Sequence, residues 1–395
     1  KLILWTGMVH IMGYTLVNWL KKLLKKMKNF KITLLTIFFV GFNIDNVYSE
    51  GQYDSLRIKI SQMLIFGIQD VQKVMEADSM IEQYSEKHLG GIILFEKNIA
   101  KKRSANHLKV LIDEIQRNSK IPSFIAIDEE GGKVNRLKPV YGFHETKSAK
   151  YLGDINNLDS TYYYAKKTSD LLKELGINVN FAPVVDLAIN TSNFIYNAER
   201  SFGRDSDKVY YHSRNFINAH RENDIITVLK HFPGHGSSTT DTHKEFTDVS
   251  DSWIVEELFP YHKLMLEDKV DGIMTSHVVN SKIDDSMLPA TLSEKSINKL
   301  LREFLDYEGV VFSDDMQMGA ITRNFGLKES VVYAINAGVD VLIFSNNQVY
   351  KDLVYPEEVI NIIEEGVRNG EVSLLRINES FRRIQNLKKR INLIN

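Results

Sequence analysis

The sequence predicts a single (β/α)8 barrel, and three observations predict it. From residue 51 onward, eight short β-branched or aromatic runs recur, longer amphipathic or charged stretches separate them, and polar residues stand at the C-terminal ends of most of the runs. Alternating strand and helix signals require a parallel sheet, and eight parallel strands close on themselves. In such a barrel the C-terminal strand ends meet around one mouth, where these folds carry their sites.

The runs, in order, are QMLIFGI, GGIILFE, SFIAIDEE, NVNFAPVVD, IITVLKHF, DGIMTSH, GVVFSDD and DVLIFSNN. Several begin after a glycine that can end the preceding helix. The third leads into Asp128, the fourth into Asp186, the fifth into Lys230 and His231, the sixth into His277, the seventh into Asp314 and the eighth into Asn346. One Asp or Asn in such a place is as well explained as a helix cap or turn residue. A lysine–histidine pair converging with several acids is not. His277, a lone strand-end histidine, reads equally as a satisfied core residue.

The interval between the fourth and fifth runs is long, with a helix in it and residues 197–200 expected as a loop over the mouth. A second insertion follows the fifth run. The closing segment, SLLRINESFRRIQNLKKR, reads as a basic amphipathic helix that seals the barrel with its charges on a solvated face. It leaves no room for a further domain, so residues 51–395 are expected to form one catalytic barrel.

Residues 1–50 read differently. Lys21, Lys22, Lys25, Lys26 and Lys28 precede an apolar stretch over residues 32–42, and Val47 and Ser49 are placed as a signal peptidase accepts them. This is the pattern of a secretory leader or an uncleaved membrane anchor, with Met27 as a natural start. It predicts a periplasmic or secreted protein, against a cytoplasmic alternative, whose only membrane contact is that segment.

With 395 residues, 43% of them hydrophobic, a large core is available, and a net charge of −2 gives no pull toward nucleic acid. There is no cysteine, which excludes thiolate metal sites, disulfides and thiol nucleophiles.

The chemistry concentrates in KHFPGHGSSTTDTH, residues 230–243. A metal site on this fold calls for a His-x-His pair on the first strand, which offers no ligand, and Pro233, Gly234 and Gly236 prevent His231 and His235 from sharing a helix face. His231, His235, Asp241 and His243 remain a conceivable loop site, but no metal and no cofactor is expected. Acid/base chemistry explains more. Asp241 and His243 are two residues apart, so a turn can let the carboxylate accept from Nδ1 and leave Nε2 to the mouth, fixing the tautomer and raising the basicity. Asp314, at a rigid strand end, suits a nucleophilic carboxylate, although Asp314 and Asp315 also suit the start of a helix.

These residues carry a resemblance. Residues 230–236 (KHFPGHG) followed by Asp241-Thr242-His243, residues 128–136 (DEEGGKVNR), and residues 312–315 (FSDD) resemble the bacterial β-N-acetylglucosaminidases of glycoside hydrolase family 3, with the motifs in order over roughly residues 55–390. The resemblance implies Asp314 as nucleophile, His243 as acid/base and Asp241 as its partner, with Asp128, Arg136, Arg200, Lys230 and His231 holding the terminal sugar. It implies a monomeric retaining exo-glycosidase of the single-domain branch, which typically trims N-acetylglucosamine from peptidoglycan fragments. Glu129, Lys133 and Thr242 depart from the family's more usual Gln, Arg and Ser without removing a catalytic group. The rivals are a phosphorylase using the same site, since imidazole does not repel an anionic acceptor, a metallohydrolase, and a sugar-binding wall protein without catalysis.

Overall fold

Each of the eight runs folds as a parallel strand: β1 Leu64–Gly67, β2 Gly91–Leu94, β3 Phe124–Ile127, β4 Val179–Asn180, β5 Ile226–Phe232, β6 Gly272–Thr275, β7 Val310–Asp315 and β8 Val341–Phe344. Each strand pairs with its successor, and β8 pairs with β1 to close the barrel. The computed structural model describes residues 56–69, 87–239, 247–347 and 353–394. The leader expected in residues 1–50 lies outside them, and no described helix is long and apolar enough to cross a membrane.

The fourth strand is shorter than its sequence suggests. Its ladder ends at Asn180 and resumes only as a bridge between Val184 and Lys230. Beyond Asn180 single backbone bonds continue to β5: the Ala182 and Pro183 carbonyls accept from Val228 N at 3.1 Å and Lys230 N at 3.4 Å, and Val185 N donates to the Lys230 carbonyl at 2.9 Å. Pro183 itself has no N–H to offer a regular ladder.

Helices cover the barrel's outside. Leu158–Leu175 follows β3 and Ser206–Arg221 follows β4. The two pack through Ala165, Phe216 and Ala219 over Ala182, the alanines letting them approach closely around the Phe216 ring. Asp205 fixes where the second begins, accepting from Lys208 N at 2.7 Å. The loops after β5 and β6 are tied by a short parallel ladder, Thr247–Asp248 against Val278–Val279.

Inside, Phe312 of β7 touches Phe124 of β3 and Phe181 beyond β4, at centroid distances of 6.4 and 5.8 Å. Strands three and seven are not neighbours, so these contacts run across the interior and fill it. The base is sealed differently. The final helix, Leu374–Arg390, sends fully buried Lys388 beneath Phe124, its ammonium 4.9 Å from the ring centroid. Lys388 donates to Gln62 Oε1 at 2.8 Å and to the Pro122 carbonyl at 2.7 Å, and burial pushes its pKa down to about 7.

This corrects the expectation of a solvated basic face. Asp340, fully buried at the start of β8, accepts from Arg302 and Arg376 at 2.6 Å each, from Arg383 at 3.3 Å, from Ser380 Oγ at 2.8 Å and from Val311 N at 3.0 Å. Burial opposes its charge, yet the three guanidinium groups bring its pKa to about 2. Arg376 and Arg383 of the last helix therefore face inward, because a buried carboxylate needs them.

Asp340→Asn should destabilise the protein by about 3–5 kcal/mol, since it leaves buried guanidinium groups without a counter-charge. Arg383→Met should cost clearly less, because Asp340 keeps two arginines and no buried charge is left unpaired. Urea denaturation of both variants checks this; equal losses would show that the network does not depend on Asp340.

Candidate active site

Two irregularities in the barrel ladder build the mouth. The β5–β6 register shifts between Leu229 and Phe232, and the β7–β8 register shifts between Val341 and Ile343. Such bulges re-aim the side chains of the strand that carries the extra residue. At the first, Lys230 and His231 turn into the mouth, and the His231 N–H donates to Asp186 Oδ1 at 3.1 Å instead of to a strand. At the second, Ile343 N donates to Ser313 Oγ at 2.9 Å, and Asp314 is left half-buried on the pocket wall. The cup enclosed has a volume of about 360 Å³. Small-molecule sites typically run from about 300 to 1,000 Å³, so this one is compact.

Charge is paired throughout one wall. Lys230, 2% exposed, lies 2.8 Å from Asp128 Oδ1 and 2.7 Å from Glu130 Oε1. Arg200 grips Glu130 with both prongs, Nε at 2.8 Å and Nη2 at 2.7 Å, and Arg136 reaches Asp128 Oδ2 at 3.3 Å. Burial alone would raise the pKa values of both acids, but the cations reverse it. Lys230 and Arg136 hold Asp128 below the usual carboxylate range, while Arg200 and Lys230 bring Glu130 down to about 2. Among the described residues no hydrogen-bond partner reaches buried Arg136 Nε, which leaves a donor for a ligand oxygen.

The turn that presents Glu130 and Arg136 depends on two glycines. Gly131 and Gly132 adopt φ of +93° and +60° beside the Gly131–Val134 bridge. Beneath the turn, Glu129 Oε2 accepts from Arg136 N at 2.9 Å and Leu137 N at 3.1 Å, and burial pushes its pKa up to about 7.

His231 is fixed by its neighbours. Its Nδ1 lies 2.7 Å from Asp186 Oδ2, an acceptor, and its Nε2 lies 3.2 Å from Arg200 Nη2, always a donor. The hydrogen is therefore on Nδ1, and Nε2 accepts. Asp186 also takes His235 N at 2.8 Å, so one buried carboxylate orients both histidines of the motif. Opposite, Asp314 Oδ1 accepts from Asp315 N at 2.8 Å. Asp315 itself accepts from Ser345 Oγ at 2.5 Å, Ser345 N at 3.1 Å and Gln317 N at 3.1 Å, and burial raises its pKa. His277 is fully buried between Thr291 Oγ1 at 2.9 Å and the Asp315 carbonyl at 3.0 Å, tying β6 to the end of β7.

The structure thus brings Asp128, Arg136, Arg200, Lys230, His231 and Asp314 around one cup. Asp241 and His243 lie outside the described residues. Asp186 stands behind His231, Asn346 pairs with Gln317 and the Val354 carbonyl, and His277 is a core residue. Of residues 197–200, Asn197 ends a short helix, Phe194–Asn197, and the rest form the loop. Among the described residues no three His, Asp or Glu side chains are grouped to hold a metal ion. Sequence reasoning passed over Glu130, although its place between Asp128 and two glycines marks it, and over Asn193 and Glu257, whose partners lie on other loops.

A parallel barrel with a compact, charged mouth is an enzyme architecture that supports many chemistries, and its relatives narrow the class to glycoside hydrolases. The family model described as glycosyl hydrolase family 3 N terminal domain matches residues 55–387. β-Hexosaminidase LpqI of Mycobacterium tuberculosis is 29% identical over 346 residues, 85% of this chain and 83% of that protein. The β-hexosaminidase of Alkalilimnicola ehrlichii is 34% identical over 269 residues, 66% of this chain and 74% of its own. Among solved structures, a family 3 β-N-acetylglucosaminidase from a Paenibacillus species superposes with a TM-score of 0.77 at 30% identity, over 86% of this chain and 63% of that one. The LpqI structure gives 0.71 at 28%, over 85% and 94%. The chain belongs to glycosyl hydrolase family 3 and is a glycoside hydrolase.

Glu130→Gln tests the ion-pair wall through pH. A carboxyl whose folded pKa is depressed contributes stability that is fully present above its unfolded pKa and is lost as pH falls through the folded value. For Glu130 that window runs from about 4.5 to about 2. The variant should be less stable than the parent at pH 6, by up to about 3 kcal/mol, and the gap should narrow toward pH 3. Urea midpoints at pH 6, 4 and 3 measure it; a constant gap would show that Glu130 is not held as a carboxylate.

Proposed function

We propose that this glycoside hydrolase removes terminal β-linked N-acetylglucosamine from saccharides, peptidoglycan fragments foremost, with retention of configuration. The observation that carries the reading is the cup itself: half-buried Asp314 on one wall faces a wall of Asp128, Arg136, Arg200, Lys230 and His231 in a space suited to a terminal sugar. The names of the relatives supply the N-acetylhexosamine. Neighbouring hydroxyls on a ring are matched by carboxylate and guanidinium forks, and holding them fixes the anomeric carbon relative to Asp314.

Asp314 attacks that carbon and its carboxylate becomes a glycosyl ester as the aglycone oxygen leaves. His243 protonates the leaving oxygen, then takes a proton from water as water breaks the ester, with Asp241 holding the ring's tautomer. An imidazole takes the place of the second carboxyl in the usual retaining pair. His231 is unsuited to that duty, because its Nε2 accepts from Arg200. Within the described pocket, Lys230, Arg136 and Arg200 already have carboxylate partners, which favours water over phosphate as acceptor.

Hydrolysis of chromogenic N-acetylglucosaminides, with and without phosphate, tests the assignment. Asp314→Asn should lose turnover by at least about 10³-fold while still binding sugar; activity within about tenfold of the parent removes Asp314 as nucleophile. His243→Ala on a dinitrophenyl substrate should give a burst and then a slow steady rate, and azide should speed turnover and yield the β-azide. Failure of rescue, or an α-azide, overturns the acid/base or the retaining mechanism. A sugar-1-phosphate formed in phosphate buffer would make the enzyme a phosphorylase.

The reading includes export and action as a monomer. The mature protein in a bacterial host should begin near Glu50 in the periplasmic fraction; an intact leader on soluble cytosolic protein contradicts this.

A further inference from the structure

We propose that Asn193 is a positioning residue that clasps the root of the acid/base loop to the arm carrying Arg200, so that sugar binding and proton transfer are held in one frame. The inference rests on the assignment of His243 as acid/base and goes beyond it. Asn193 is 2% exposed and works in two directions. Its Oδ1 accepts from Ile195 N at 2.6 Å and caps the helix Phe194–Asn197. Its Nδ2 donates across to the other loop, to the His235 carbonyl at 2.8 Å, to Ser238 Oγ at 2.6 Å and to the Ser238 carbonyl at 3.1 Å.

Both sides of this clasp lead to chemistry. On the arm, Arg200 N donates to the Ile195 carbonyl at 3.0 Å, and the Arg200 guanidinium lies 5.8 Å from the Phe194 ring centroid. Asn193 thereby sits at the base of the turn that delivers Arg200. On the loop, Ser238 is five residues before His243 in the chain. The loop root is held on its remaining sides as well. Trp253 Nε1 donates to the Pro233 carbonyl at 3.0 Å, and Gly236 N donates to fully buried Glu257 at 3.0 Å. Gly234, at φ +122°, packs so closely on Glu257 that a Cβ there would lie 2.6 Å from the glutamate's own. Asn190 adds bonds from its N–H to the Gly236 carbonyl at 3.0 Å and from Nδ2 to the Ser238 carbonyl at 2.8 Å.

The choice of residue separates two roles. A helix cap needs only an acceptor, and Ser, Thr, Asp and Asn all supply one. Donating to carbonyls of a facing loop needs an amide. Asn193→Asp keeps the cap and removes the clasp, and Asn193→Ser keeps the cap without adding charge.

The experiment compares kcat/KM for phenyl and 2,4-dinitrophenyl β-N-acetylglucosaminides. The poor phenolate leaving group needs the proton from His243, and dinitrophenolate does not. A displaced acid costs up to about 10²-fold, within the 10²- to 10⁴-fold that proton donation contributes. Asn193→Asp and Asn193→Ser should therefore lose about 30-fold or more on the phenyl substrate and less than about threefold on the dinitrophenyl one. A purely structural role would lower both rates alike. His243→Ala is run beside them. If it shows the steep leaving-group dependence and both Asn193 variants fall equally on the two substrates, or not at all, the clasp is overturned. If His243→Ala itself shows no such dependence, the assignment of His243 fails instead.

Discussion

Lys230, 2% exposed, is flanked by Asp128 and Glu130 at 2.8 and 2.7 Å, the counter-charges that a side chain so buried needs. That one ammonium joins β5 to the turn after β3, and Glu130 passes the constraint to Arg200 on the loop after β4. Arg200 in turn holds His231, whose other nitrogen reaches Asp186. Removing any member leaves a buried charge or a buried polar atom without its partner. The network therefore sets the positions of the groups on this wall of the cup before any ligand arrives, the kind of fixed arrangement on which catalysis by positioning depends.

Opposite this wall, Asp314 is held by a different device. The extra residue in β7 is absorbed when Ser313 Oγ takes the N–H of Ile343, and Asp315 locks the strand end to β8 through Ser345. Both sides start from a backbone irregularity, but one is then held by charge and the other by a hydroxyl and a carboxyl that fill the bulge. The first kind responds to pH and to charge-changing substitutions. The second responds to changes of shape.

The barrel was legible because short, continuous β-branched or aromatic runs and their terminal polar residues are local signals. Lys230, His231 and Asp314 stood out for that reason. The fourth strand was overestimated because NVNFAPVVD has strand composition throughout, with Pro183 the one residue in it that cannot donate to a ladder. The final helix was misjudged for a different reason. Arg376 and Arg383 look like surface charges until Asp340, 36 and 43 residues earlier in the chain, is known to be buried beside them. Asn193 and Glu257 were invisible for the same reason. An asparagine in a loop and a glutamate in VEELF are ordinary, and their meaning comes from partners 42 and 21 residues away.

The base of the barrel carries a consequence for how the molecule is made. Arg57, in the helix before β1, pairs with Glu357 and Glu364, and Lys388 closes on Gln62. These contacts join residues 300 to 326 positions apart, so the cylinder cannot be sealed until nearly the whole domain has emerged from synthesis. Until then the first strands lack their closing neighbour, with an open sheet edge. The growing chain must therefore wait, exposed, for its own last helix.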